Sequence, residues 1–294
     1  YSLGHRTRSF LKVQDGCNYT CSFCTIPMAR GKSRSATVNQ TVAIAEKIAA
    51  KNVCEVVLTG VNVGDFGIRN GETLFDLICA LDKVEGIHRY RISSIEPNLL
   101  TDEIIHFMSE SRKLLPHFHI PLQSGSDTIL KTMRRRYNKD FFAGRINTIK
   151  SILPDAGIGV DIIVGFPGES EHCFQQTCDF LETMDVSYLH VFSFSERDYT
   201  DAINISPKVK PATIMERSQI LHRLSKKKKN NFFKQNIGSI RKVLIENYEE
   251  GFLSGLTENY IRVQTGGTPK EVNSIIPLQM RYLDGNAMTG QRIS

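Results

Sequence analysis

The chain has 294 residues, 40% hydrophobic and 23% charged, a balance that supports a sizeable core and excludes disorder as a class. Lysine and arginine exceed aspartate and glutamate by 37 − 31 = 6, which mildly favours a polyanionic partner. No apolar run approaches the ~18 residues of a membrane span, and residues 1–10 hold no signal-peptide core. A cytoplasmic protein without a membrane partner is therefore expected, its seven cysteines reduced and available to ligate metal.

Up to about residue 235 the apolar periodicity alternates between two signatures. Short β-rich runs occur at 10–14, 53–59, 89–94, 117–122, 159–164 and 188–194. Helical spacing fills roughly 39–51, 73–84, 101–110, 127–152, 170–184 and 213–235. Thr101-Asp102-Glu103 ahead of Ile104 and Glu169-Ser170-Glu171 ahead of Phe174 read as helix starts. Strands alternating with helices predict parallel βαβ units, and the nearly all-apolar runs predict strands covered on both faces. An incomplete barrel and a doubly wound sheet both fit. After Lys226-Lys227-Lys228-Lys229 the rhythm changes to short β segments at 240–246, 251–256, 260–264 and near the end, divided by glycine-rich turns. This predicts two domains, 1–235 and 236–294, the second a small β-barrel whose six basic and six acidic residues cancel. The charge excess thus sits in the first domain and its exit helix.

The strongest chemical signal is Cys17-Asn18-Tyr19-Thr20-Cys21-Ser22-Phe23-Cys24, directly after the first strand. Three thiolates in one loop can reach one metal centre, but a structural zinc site usually wants four ligands. His5 is the nearest histidine, on the far side of the strand. A 4Fe–4S cube held by three thiolates would leave one iron uncovered and able to bind a small molecule. An incidental cysteine group, or zinc completed from a distance, is the alternative. Cys54, Cys79, Cys173 and Cys178 are scattered among apolar neighbours and are expected to pack in the core.

The cysteine run resembles the signature of radical S-adenosylmethionine (SAM) enzymes, and the text around it is similar to the methylthiotransferases among them. The matching stretches are FLKVQDGC ending at Cys17, IPMARGKSRS from Ile26 to Ser35, and Leu58-Thr59-Gly60-Val61-Asn62. Further ones are IPLQSGS from Ile120 to Ser126, Met133-Arg134-Arg135-Arg136-Tyr137 and DIIVGFPGE from Asp161 to Glu169. The resemblance implies an α/β fold, a partial (β/α)6 barrel followed by an all-β, RNA-binding TRAM-like barrel. Strand-end loops then converge on one mouth. Cys17, Cys21 and Cys24 would hold the cluster, whose open iron chelates SAM. Phe23, Gly60, Asn62, Ser94, Glu96 and Gln123 would contact SAM, with Gly60 admitting a close backbone approach. One electron would split SAM into methionine and a 5′-deoxyadenosyl radical that takes hydrogen from adenine C2.

Ser93-Ser94-Ile95-Glu96-Pro97 looks most like the MtaB branch, which methylthiolates N6-threonylcarbamoyladenosine beside the anticodon of tRNA. Related branches act on isopentenyladenosine of tRNA or on a ribosomal protein aspartate. A non-catalytic RNA-binding protein with a structural cluster is the remaining class. The implied partners are a tRNA anticodon stem-loop and an electron donor such as flavodoxin or ferredoxin. Arg30, Lys32, Arg34, Arg134-Arg135-Arg136 and Lys226 to Lys229 are expected to meet phosphates, and Phe166, Phe192 and Phe194 to stack a flipped base. The family carries a further N-terminal domain with a second, sulfur-donating 4Fe–4S cluster. Nothing before Tyr1 represents it, so SAM cleavage without complete methylthiolation is expected. Tyr199 stands where the family usually has glycine, which leaves open how the loop bearing Arg197 runs.

Overall fold

A computed structural model describes residues 7–293; residues 1–6, His5 among them, and Ser294 lie outside the described residues. Strands β1 (Arg8–Lys12), β2 (Glu55–Thr59) and β3 (Arg89–Ile92) form one parallel sheet. Strands β4 (His117–Gln123), β5 (Gly157–Val164) and β6 (Tyr188–Ser193) form a second, and a parallel bridge from Tyr90 to Leu114 joins the two. The result is a partial (β/α)6 barrel, open between β1 and β6. Short helix α1 (Ile26–Arg30) follows the cysteine loop. The crossovers are α2 (Val38–Ala49), α3 (Leu74–Asp82), α4 (Asp102–Glu110), the pair α5 (Asp127–Thr132) and α6 (Lys139–Ile152), and α7 (Glu171–Thr183). Thr101 and Ser170 cap α4 and α7 through side chains that accept from the backbone N–H three residues on. None of the helices is long and apolar enough to cross a membrane among the described residues.

Strand period two divides each strand into an outer and an inner face. Val56, Leu58, Tyr90, Ile92, Ile120, Val160 and Ile162 pack outward under the helices as one core. These central strands are largely buried on both faces, as the nearly all-apolar runs predict, but their inner positions are polar. Glu55, Arg89, Arg91, His117, His119, Asp161 and His190 point into the lumen, joined there by hydrogen bonds, ion pairs and ring contacts. The runs read as apolar because the lumen residues alternate with apolar ones.

Helix α8 (Pro211–Gln235) leads into strands β7 (Ile240–Glu249), β8 (Phe252–Thr257), β9 (Arg262–Gly266), β10 (Ile275–Asp284) and β11 (Ala287–Arg292). They close in the order β8-β9-β11-β10-β7, with β9 and β11 parallel and the other pairs antiparallel. This barrel plugs the floor of the first. Glu55, fully buried, pairs with Arg91 at 2.9 Å and Arg89 at 3.8 Å. The same arginines donate onward to the Lys242, Leu256, Thr257 and Glu258 carbonyls of the β-barrel at 2.6–3.3 Å. Tyr260 stacks on His117 with ring centroids 4.2 Å apart, and the His117 Nε2 meets the Tyr188 hydroxyl at 2.7 Å.

Two predictions concern this junction. A Cβ on Gly157 would lie 2.2 Å from the Asn259 carbonyl; Gly157→Ala should destabilise the chain by about 1–3 kcal/mol, read by denaturant unfolding. Burial, then the positive Arg91, hold the His117 imidazole well below its ordinary 6.5. The unfolded chain therefore binds the extra proton first, so stability should be full above about pH 6.5 and fall by up to ~1.4 kcal/mol per pH unit below it. A His117→Gln variant should show a flatter profile across the same window.

Candidate active site at the barrel mouth

Beyond β1, a two-residue antiparallel pair, Gln14–Asp15 with Arg34–Ser35, pinches off the cysteine segment as a loop. Gly16 enters it at φ +70°, where a Cβ would strike the Lys32 carbonyl at 2.3 Å, so glycine is required there. The buried Gln14 amide organises the base of the loop. Its Nε2 donates to the Asp15 and Gly16 carbonyls and the Ser33 hydroxyl at 2.8–3.0 Å. Its Oε1 accepts the Val61 and Asn62 N–H groups at 3.0 and 2.8 Å, which fastens the loop after β2 to the cysteine loop. A Cβ on Gly60 would press on Gln14 at 3.0 Å; the close approach that glycine permits here is to Gln14. Farther along, the Ser22 hydroxyl donates to the Thr132 carbonyl at 2.8 Å and the Ser22 carbonyl accepts from Ala202 N at 2.8 Å.

The three thiols are free and half-buried. Tyr19 N–H donates to Cys17 Sγ at 3.4 Å, and Arg135 Nη1 donates to Cys21 Sγ at 3.3 Å. Arg135 also forms an ion pair with Glu96 and donates to the Tyr137 hydroxyl at 3.1 Å. Burial pushes the Cys17 and Cys21 thiols up, and at Cys21 the Arg135 charge opposes it. Burial also raises Glu96, again against Arg135. Among the described residues, His119, Asp161 and His190 are the potential ligands whose donor atoms gather within 4.8 Å of one another. The cysteine triplet is more open than that. It suits a cluster whose separate iron corners each take one thiolate better than it suits a single ion.

Beside the loop lies a cavity of about 280 Å³ lined by Phe23, Gln123, Asp161, Phe192, Phe194 and Arg197. Gln123 sits at φ +70°, where the β4–β5 register shifts, and its Oε1 is buried without a partner. Asn62 Oδ1 and Asn98 Oδ1 are likewise buried and unpartnered. Backbone strain and orphaned acceptors at the strand ends fit a bound group that carries N–H donors, as the SAM amino group does. Hydrogen bonds and the shared cavity bring together the cysteines, Phe23, Gly60, Asn62, Glu96 and Gln123. Ser94 is half-buried at the end of β3, and the structure ties it to none of them.

Several expectations need correction. Arg135 faces inward, so the arginine triplet does not act together on phosphates. Arg134 pairs with Asp201 at 2.5 Å, and Arg136 covers the Tyr19 ring at 3.8 Å. Phe166 is wholly buried, edge-on to Phe23 and Phe194, and packs rather than stacks a base, whereas Phe192 is 53% exposed at the rim. Gln14, Arg135 and Asn98 were missed as site residues. A polar residue closing an apolar run was the one visible sign, at Gln14.

Residues 11–181 match the Radical SAM superfamily. The chain is 41% identical over 269 residues to the threonylcarbamoyladenosine tRNA methylthiotransferase MtaB of Aquifex aeolicus, covering 92% of this chain and 64% of that protein. It is 34% identical over 304 residues to the tRNA-2-methylthio-N(6)-dimethylallyladenosine synthase of Helicobacter hepaticus, covering 100% of this chain and 66% of that one. The chain thus spans just under two thirds of the length of these relatives. Among solved structures, coproporphyrinogen III oxidase (HemN) from Escherichia coli, a radical SAM enzyme, superimposes with a TM-score of 0.58 at 13% identity, over 86% of this chain and 67% of that one.

Arg135 sets its guanidinium against the Cys21 thiol of the loop. Arg135→Leu should keep iron after reconstitution yet lower SAM cleavage about 10–100-fold, the usual effect of losing a partner to a metal ligand. Arg135→Lys should recover part of the loss, because it restores the charge without the fork that also reaches Glu96. Iron content and 5′-deoxyadenosine yield, measured on the same preparations, check both expectations.

Proposed function

The chain belongs to the radical SAM superfamily and, within it, to the methylthiotransferases, and we propose that it performs the SAM-cleaving half of methylthiolation at adenine C2 of N6-threonylcarbamoyladenosine in tRNA. The observation that carries this reading is the cysteine loop set beside a cavity whose wall is the orphaned, strained Gln123. Cys17, Cys21 and Cys24 would hold a 4Fe–4S cluster, and SAM would occupy the mouth beside it. Bound there, the pair supplies a 5′-deoxyadenosyl radical able to take hydrogen from the target base.

The chain's own residues bind and orient. Gln14 holds the loops after β1 and β2 in one register, and Arg135 places positive charge against Cys21. Gln123 Oε1 and Asn62 Oδ1 offer acceptors to the amino group of SAM. Phe23, Ile163 and Phe192 form apolar walls that exclude water from a reactive intermediate. Arg30 and Arg34, about half-exposed beside the loop and anchored by Asp15, together with Lys32, present charge to an anticodon stem-loop. The sulfur would come from the second cluster that the resemblance implies, and the electron from a flavodoxin or ferredoxin.

Anaerobic reconstitution of the chain, followed by reductant and SAM, should yield 5′-deoxyadenosine, and Cys24→Ala should reduce the yield to background. Iron bound in the wild-type chain with no 5′-deoxyadenosine formed would refute the reading. A stem-loop carrying the modified adenosine should bind with an affinity that falls steeply with salt.

A further inference from the structure

The floor of the mouth cavity is polar. Asp161 of β5 lines that cavity, and the lumen side chains next to it on the neighbouring strands are His119 of β4 and His190 of β6. His119 Nε2 meets Asp161 Oδ1 at 2.8 Å, the His119 and His190 rings meet edge to face at 5.1 Å, and all three donor atoms lie within 4.8 Å of one another. Asp161 also lines the cavity, with Gln123 and Arg197. Partial burial, then the neighbouring His119, lower the basicity of His190, the exposed member of the three. The cysteine loop makes no use of this layer.

Accepting the reading above of a modified adenosine as target, we infer that the His119–Asp161–His190 layer, with Arg197 at the rim, reads the substituent on N6 of that base. A threonylcarbamoyl group offers ureido N–H groups and a hydroxyl, which the Asp161 carboxylate accepts. Its own carboxylate accepts from an imidazole N–H and from the Arg197 guanidinium. An isopentenyl group offers no polar atom. Seated over the layer, it would strand these groups away from water, and each stranded group costs at least about tenfold in affinity. Relatives of the chain are named for both kinds of base, threonylcarbamoyladenosine and dimethylallyladenosine. A polar layer complements the former substituent and not the latter.

The test uses three anticodon stem-loops that differ in the target base alone: threonylcarbamoyladenosine, isopentenyladenosine and unmodified adenosine. Each is titrated against the reconstituted chain by fluorescence anisotropy. The wild-type chain should favour the threonylcarbamoyl loop over the isopentenyl loop by at least tenfold. His190→Leu, His119→Leu and the volume-conserving Asp161→Asn should shrink that preference to within about threefold, with the iron–sulfur absorbance and melting temperature showing an intact fold. If the wild type has the preference and the variants keep it, the layer is not the reader, and the proposed function stands without it. If the wild type favours the isopentenyl loop or neither, the inference fails and the target of the proposed function must change. If no loop binds, the RNA-modifying reading fails as well. One equivalent of zinc in a chain with the cluster cysteines replaced by alanine, lost with His190→Leu, would make the layer a metal centre and overturn the inference.

Discussion

A carboxylate with no exposed surface sets the terms for the rest of this molecule. Glu55 at the floor of the lumen is surrounded by Arg91, Arg89 and, at 4.0 Å, Arg8. Removing one partner from such a buried group costs about 3–5 kcal/mol, because the charge left behind has no water to turn to. The arginines have more donors than Glu55 can accept, and the surplus goes to main-chain carbonyls of the C-terminal barrel. The ion pair is therefore satisfied only when the second barrel is docked. Docking closes one end of the half-barrel, which leaves the ends where the strand loops gather as the entrance for substrate. A lumen lined with charge is thereby given a direction, with structural pairing at the floor and chemistry at the mouth.

Between floor and mouth, single side chains with several hydrogen-bonding atoms carry the geometry. Gln14 uses both ends of its amide, so the cysteine loop cannot shift without dragging the loop of Gly60 and Asn62. Arg135 links Cys21 to Glu96 in the same way. Within the cysteine loop, burial raises the proton affinity of Cys17 and Cys21, and both would have to lose their protons to hold iron. The N–H groups aimed at their sulfurs, from Tyr19 and Arg135, are positioned to take up the charge that results. Charge developed on these sulfurs would thus meet donors already in place, without rearrangement of the loop.

What could be read from the sequence follows the range of the interaction behind it. The helix starts at Thr101 and Ser170 were legible because a cap reaches only three residues. The cysteine triplet was legible because its members share one loop. The stretch read as a single helix over 127–152 instead breaks between Thr132 and Lys139, with Arg134 at φ +59°. No glycine or proline marks the break; only Asn138, which caps α6, hints at it. The break exists to deliver Arg135 to a thiol 114 residues away, and periodicity carries no information at that separation. The polar lumen was hidden for a related reason. Most inner polar residues have apolar neighbours in sequence, and their partners lie on another strand or in the other barrel.

The substitution at Tyr199 shows the same separation between backbone and side chain. Where the resemblance calls for glycine, the tyrosine holds φ +65° with its ring 90% exposed. A left-handed conformation costs a residue with a Cβ roughly 1–2 kcal/mol, so the surroundings must hold it there. They do so from both sides. The Thr200 hydroxyl donates to the Arg197 carbonyl at 2.7 Å, Arg134 binds Asp201, and Ala202 N–H donates to the Ser22 carbonyl inside the cysteine loop. The turn is thus tied to the cysteine loop by residues other than the one that strains it. Replacing glycine changes what this rim shows to solvent while Arg197 still lines the cavity. The strain persists because relaxing it would pull on the cysteine loop, which Ala202 N–H holds through the Ser22 carbonyl.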